Sequence, residues 1–267
     1  MKKLKRKIKQ KLFNFRFNLS SKNHWLFKAY YNYLYKPKKD SLAAFLDYYS
    51  KSKNGNICVV QIGANDGISH DPIHKFIKRD RWKGVLLEPQ PYVFKKYLAP
   101  LYAKDKFITT INAALGSKDE SEILYKIGFS NMRWATGLAT FYKQELEKNF
   151  ENGSILNLCR KYGITIPTNP EEWIKTEEVK IISTESLLQS NQINHIDLLQ
   201  IDTEGYDYEI IKLFNIPKHA PEVIIYEWVH LSQADQIECE NYLNDIGYKT
   251  HKIGADVVCK YLNLTNK

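Results

Sequence analysis

Apolar residues fall into short runs along the chain, each closed by a glycine, an acid or a proline. Ile57 to Ile62 is apolar at every position but Gln61 and stops at Gly63. A run of that length, with little alternation, marks a parallel strand buried on both faces. Gly84 to Leu87, Phe107 to Ile111, Ile196 to Ile201 and Val223 to Tyr226 repeat it, with helix-compatible segments between them. The alternation predicts an α/β fold with a mostly parallel sheet. Near the end the rhythm changes. Gln236 to Ile246 reads as a helix ending at Gly247, and Tyr248 to Ile253 and Asp256 to Tyr261 flank Gly254 as two strands. A hairpin there puts one antiparallel strand inside or beside the sheet.

Two segments depart from this rhythm. Leu4, Ile8, Leu12, Phe15 and Leu19 recur at helical spacing in a Lys-rich stretch, which predicts a helix with an apolar stripe between basic faces. Residues 1–39 hold 13 Lys or Arg and no acid, whereas the chain as a whole carries +9, so the body from residue 40 onward is mildly acidic at −4. Such a basic amphipathic arm is drawn to anionic lipid at the face of a membrane. Nucleic acid is a weaker rival, favoured by charge but by no reading motif, and the third reading is a solvated helix packed on its own domain. After Pro37, residues Asp40 to Tyr49 read as the helix that leads into the domain.

The second departure is residues 128–179, a connection of about fifty residues with Gly, Asn and Pro punctuation, Trp134, Trp173 and a helix predicted from Phe141 to Asn149. Connections this long are uncommon in compact domains and often serve as lids or binding loops. The segment is expected either to bind an acceptor or to add core as a helical decoration.

Composition narrows the picture modestly. A chain of 267 residues, 43% hydrophobic and 26% charged, suits one large globular domain with an appendage. Cys58, Cys159, Cys239 and Cys259 lie far apart without CxxC or CxxH pairs, so neither a zinc site nor a disulfide framework is expected, and a reducing cytoplasm fits. No apolar run is long enough to span a bilayer, and no signal-peptide core stands at the N-terminus.

Candidate chemistry gathers at the predicted strand ends. Gln61-Ile62-Gly63-Ala64-Asn65-Asp66-Gly67 follows the first strand. Glycine there lets backbone approach a ligand closely, in the crevice where open α/β sheets bind their ligands. Asn65 stands where the dinucleotide fingerprint needs its middle glycine, so a ligand without phosphate fits more easily. S-adenosylmethionine is one such ligand. Glu88 closes the second strand ahead of Pro89, placed to accept hydrogen bonds from both ribose hydroxyls. Asn112, Ala113 and Ala114 end the third strand, where small residues would admit an adenine ring. Asp202 and Glu204 end the fourth, opposite the glycine loop, and would orient an acceptor hydroxyl, take its proton, hold the ammonium group of the cofactor or bind a divalent cation. Glu227 ends the fifth strand, with His230 three residues on as a further base.

Taken together, V-V-Q-I-G-A-N-D-G, G-V-L-L-E-P, N-A-A-L-G and I-D-L-L-Q-I-D-T-E-G-Y-D resemble, in order and spacing, the FkbM family of methyltransferases, over roughly residues 57–227. The resemblance implies a class I methyltransferase fold, Rossmann-like, with seven strands and a reversed C-terminal strand, making residues 40–267 the methyltransferase domain. It implies S-adenosylmethionine-dependent O-methylation of a sugar, glycolipid or related small molecule. Carried over, Gly63, Ala64, Asn65 and Gly67 line the methionine part of the cofactor and Glu88 the ribose, while Asp202 and Glu204 match the D-x-E-G motif near the reaction centre. Two positions depart from the family pattern: Gln61 where an acid is commoner, and Gln200 where Lys is frequent. The rival readings are an NAD-dependent sugar oxidoreductase, a non-catalytic adenosyl-binding module docked at a membrane, and metal-dependent transfer through Asp202.

Overall fold

The computed structural model describes residues 2–262, with side chains from residue 8 onward. In chain order the strands are β1 (Cys58–Ile62), β2 (Lys83–Leu87), β3 (Ile108–Ile111), β4 (Ala114–Gly116), β5 (Glu120–Ile127), β6 (Ile174–Ser183), β7 (Leu198–Ile201), β8 (Val223–Glu227), β9 (Tyr248–Ile253) and β10 (Asp256–Tyr261). Seven of them form one sheet in the order β3-β2-β1-β7-β8-β10-β9. The first five run parallel, and β10 is antiparallel to both β8 and β9. The predicted terminal hairpin therefore inserts its second strand between β8 and β9.

Both faces of this sheet are buried, which is why its strands read as near-continuous apolar runs. Val60, Ile62, Leu199, Ile201, Ile224 and Tyr226 face one layer of core. Helices Thr184–Ser190, Asp207–Leu213 and Gln233–Asp245 cover it, burying Leu187, Ile211 and Leu243. Val59, Leu86, Leu198, Val223 and Ile225 face the other layer, where helices Leu42–Ser52 and His74–Asp80 and the helical stretch 91–102 pack Leu46, Phe76 and Leu101. Ser41 caps the first of these helices by accepting from the Ala44 amide, and Asp71 accepts from the Ile73 and His74 amides at the second.

A second, three-stranded sheet, in the order β4-β6-β5, was not predicted by the sequence. Ala114–Gly116 is a strand of this sheet and not the tail of β3, and the last part of the long connection, Ile174–Val179, is already β6. β5 and β6 pair antiparallel along eight residues, with Ile127 opposite Ile174, so residues 128–173 leave and return at the same end of one ribbon. Their helices Lys143–Glu151 and Ser154–Tyr162 enclose a small core of Ile127, Leu146, Ile155 and Cys159.

The N-terminal arm is helical from Lys2 to Ser21. Phe13 and Phe17 pack against the body, each edge-on to Tyr97, and Ser20 bonds the His74 imidazole at 2.9 Å. The predicted stripe is a different face: Ile8, Leu12 and Phe15 point to solvent, and the side chain of Leu4 lies outside the described residues. All four cysteines are free and buried. Among the described residues no helix is long and apolar enough to cross a membrane.

Candidate active site

The carboxyl ends of β1, β2, β7 and β8 meet the insertion around a cavity of about 340 Å³. Gly63, Asn65, Glu88, Pro89, Ala113, Asp202, Glu204 and His230, all singled out in the sequence, line it. Volume and mixed lining suit a small-molecule site.

At the β1 end the backbone turns sharply. Gly63 has φ +82°, and a Cβ there would lie 2.0 Å from the carbonyl oxygen of Asp202, so only glycine lets the β1 and β7 ends come together. Asn65 also sits at positive φ, 47°, and its amide donates to Glu88 at 2.9 Å. The other Glu88 oxygen accepts from the Gln90 amide at 2.9 Å. Burial pushes the Glu88 carboxyl up to about 7 against these two donors. Two backbone bonds leave lone pairs on both oxygens, and a carboxylate so placed fits a pair of vicinal hydroxyls.

Five of the expected cofactor residues do not line the cavity. Ala64 is buried in the core and Gly67 faces Leu98 and Leu101. Asp66 accepts from the Ile68 and Ser69 amides and so shapes the loop. Asn112 donates to the carbonyls of Glu88 and Pro89 at 2.8 and 2.9 Å, which fixes the end of β2 and uses the amide hydrogens that an adenine edge would need. Gln61 points to the opposite face of β1, donating to Asp71 at 3.1 Å.

Gln61 and Gln200, the two departures from the family pattern, are direct neighbours across β1 and β7. Both are buried, and the side-chain carbonyl oxygen of each has no partner among the described residues. An acid and a lysine at these positions would form a buried cross-strand pair. Here both charges are replaced together by neutral amides, which removes a desolvation cost and leaves two unmet acceptors.

The other side of the cavity is acidic. Asp202, Glu204, Asp207, Glu227 and Asp256 crowd the ends of β7, β8 and β10, and burial raises every one of these carboxyls. Glu227 is pushed up to about 8, by burial first and then by the charges of Asp202, Glu204, Asp207 and Asp256. Its oxygen and that of Glu204 each lie 3.5 Å from Nε2 of His230. Glu227 itself stands behind His230 and does not line the cavity. Glu204 adopts φ 55°, costly for a residue with a Cβ, and places its carboxylate against Gly137, where a Cβ would come within 3.1 Å of Oε1.

Asp207, quoted in the motif but given no role in the sequence reading, holds this strained turn. Its Oδ2 accepts from the Thr203 hydroxyl at 2.8 Å and from the Thr203 and Gly205 amides, and its Oδ1 accepts from the Glu227 amide at 3.1 Å. One buried carboxylate thus ties the Glu204 turn to the end of β8.

The insertion contributes residues that sequence reasoning missed. Arg133 also lines the cavity, and its charge opposes the rise that burial imposes on the carboxyls of Glu88, Asp202 and Glu204. Thr136, Gly137, Thr140 and Tyr142 form the roof, and Gln90 donates to the Thr136 carbonyl at 2.9 Å, pinning roof to β2. Ala113, Ala114, Leu115 and Leu124 supply an apolar wall.

Strand order and the position of this cavity define a class I, Rossmann-like methyltransferase. The sequence profile described as methyltransferase FkbM domain matches residues 61–250, and the chain belongs to that family. Membership implies S-adenosylmethionine as methyl donor, and the lining has groups that would fit it: a buried acid for the ribose, an apolar wall for the base, and an arginine and an acid for the amino-acid part. No curated protein sequence matches this chain. Among solved structures it is similar to the methyltransferase FkbM from Methylobacillus flagellatus KT, with 12% identity and a TM-score of 0.46 over 78% of this chain and 44% of that one. It is also similar to precorrin-6y C5,15-methyltransferase from Geobacter metallireducens GS-15, at 11% identity and TM-score 0.38 over 81% and 84% of the two chains. A human methyltransferase 10 domain containing protein aligns over 85% of each chain, at 7% identity and TM-score 0.40.

Proposed function

We propose that the chain transfers a methyl group from S-adenosylmethionine to a hydroxyl oxygen of a sugar, glycolipid or related small molecule, with Glu204 as general base. The observation that carries this reading is the single cavity in which Glu88 lies at one end and Glu204 and His230 at the other. When bound, the donor supplies an electrophilic methyl group on a sulfonium and leaves as a neutral sulfide, so no oxyanion hole is required.

The chain's own part is positioning and proton removal. With the donor bound, Glu88 would accept from the ribose hydroxyls, Ala113 and Leu115 would border the base, and Arg133 and Asp202 would hold the carboxylate and ammonium of the methionine part. The roof, residues 133–142, would exclude water and orient the acceptor hydroxyl toward the bound donor. As the oxygen–carbon bond forms, Glu204 takes the hydroxyl proton. Its carboxyl is raised by burial first and by Asp202 next, which brings it closer to the working pH of a base. His230, in reach of Glu204 and half exposed to solvent, passes that proton outward. Glu204, Glu227 and His230 hold ligand atoms within 4.8 Å of one another, a donor set that also suits a divalent cation.

The test is methyl transfer from labelled S-adenosylmethionine to a panel of hydroxylated glycans and glycolipids, with and without a chelator. Label appearing in an ether-stable oxygen position, unaffected by chelation and lost in Glu204→Gln, is the expected result. Chelator-sensitive turnover would reassign Glu204, Glu227 and His230 to a metal, and label on nitrogen or carbon would refute the oxygen acceptor.

A further inference from the structure

We propose that the face of the N-terminal helix carrying Ile8, Leu12 and Phe15 docks on an anionic lipid bilayer. This inference is independent of the acceptor and of the base assigned above.

The helix has two apolar faces, and only one is used within the molecule. Phe13, Phe17 and Ser20 meet Tyr97 and His74 on the body. Ile8, Leu12 and Phe15 follow at spacings of four and three, so they line up on a separate stripe, exposed by 56, 56 and 60%. A helix held by its own second face has no energetic need of these three side chains in water. Eight of the sixteen large exposed hydrophobic residues lie between residues 8 and 34, a tenth of the described chain. Trp25, Tyr33 and Leu34 are among them, and amphipathic Trp and Tyr are favoured at lipid–water boundaries.

Charge selects the occupant. At helical spacing Lys11 falls on one side of the stripe and Lys9 and Arg16 on the other, all exposed. Among the described residues none of the basic side chains from Lys9 to Lys39 forms an ion pair, although the body carries net negative charge. An apolar stripe rimmed by unpaired cations is complementary to acyl chains beneath anionic headgroups. Nucleic acid would use the cations but has no use for exposed aliphatic Ile8, Leu12 and Leu34.

The experiment is flotation of the full chain with vesicles of phosphatidylcholine alone and of phosphatidylcholine with about one third phosphatidylglycerol. Two triple variants accompany it, I8S/L12S/F15S and K9Q/K11Q/R16Q, each checked by thermal melting for an unchanged fold. The intact chain should float with the anionic vesicles and not with the neutral ones. The basic variant should lose about 100-fold in partitioning, and the apolar variant at least about 30-fold. Absence of binding to anionic vesicles would overturn the proposal. So would an apolar variant that binds like the intact chain, which would leave charge alone and, with competition by duplex RNA, assign the arm to nucleic acid. Concentration-dependent dimerisation abolished by I8S/L12S/F15S would give the stripe to a second copy instead.

Discussion

Strand β7 begins and ends among acids, and the two ends treat them in opposite ways. At its amino end, Asp197 and Glu222 are held by Lys53 at 3.2 and 2.5 Å, with His195 3.4 and 3.2 Å away and the Tyr49 hydroxyl donating to Glu222. Asp197 also accepts from the Cys58 amide at 2.7 Å. Every buried charge there has a partner. At the carboxyl end, Glu204 and Glu227 have His230 nearby, Asp202 feels Arg133 at a distance, and among the described residues no Lys–carboxylate bridge forms with any of the three. Burial raises all three carboxyls. A larger cavity, about 570 Å³, lies at the amino edge beside Lys53 and Asp197, so size alone would choose the wrong end. What separates the two edges is electrostatic satisfaction: carboxylates are paired at one edge and left raised by burial at the other, the condition that the proposed proton transfer needs.

The largest contrast should come from Glu204→Gln. It removes the proposed base, so turnover should fall by about 10²–10⁴-fold, while S-adenosylmethionine affinity and melting temperature stay near those of the unaltered protein. Its mirror image is Lys53→Met, which strands two buried carboxylates and should cost about 3 kcal/mol of stability in denaturant titration, leaving turnover per folded molecule unchanged. If Lys53→Met cut turnover and Glu204→Gln cut stability, the comparison would be inverted.

The glutamine pair sharpens the point from inside the sheet. Gln61→Glu or Gln200→Lys alone buries one uncompensated charge and should destabilise by about 3 kcal/mol, whereas the double variant should recover at least about 1 kcal/mol of the summed loss. Strict additivity in that cycle would mean the two residues do not interact.

The smallest effect concerns pH. The Glu227 carboxyl is raised from 4.5 to about 8, so the folded state binds the extra proton between those values. Its contribution to stability is full below pH 4.5 and is lost as pH rises through about 8. Melting temperature should therefore decline across that window, less steeply in Glu227→Gln, while turnover rises with pH as the base loses its proton. A melting temperature that climbs over the window would contradict the burial of this acid.

The large sheet was legible in the sequence because both of its faces are covered, which turns β1, β7 and β8 into apolar runs. β5 and β6 were not: one face of that ribbon is solvated, and Glu120-Ser121-Glu122 and Glu177-Glu178 dilute the pattern below recognition. Residues that line the cavity from the strand ends, Glu88, Asp202 and Glu204, could be read from motif and position. Arg133 and Thr136 could not, because a connection about fifty residues long carries no local signal of where it folds back. Periodicity found a stripe on the arm, yet could not distinguish the face that docks on Tyr97 from the face left in water. Asn112 looked like a ligand contact and proved to be a brace, since a polar side chain at a strand end serves the nearest unpaired carbonyls first.

The most direct measurement is calorimetric titration of S-adenosylmethionine into the intact chain and into Glu88→Ala. Binding in the micromolar range, about −8 kcal/mol, that falls at least tenfold in Glu88→Ala at unchanged fold is the expected outcome. No binding by the intact chain, or equal binding by both, would contradict the placement of the donor at the carboxyl edge of the sheet.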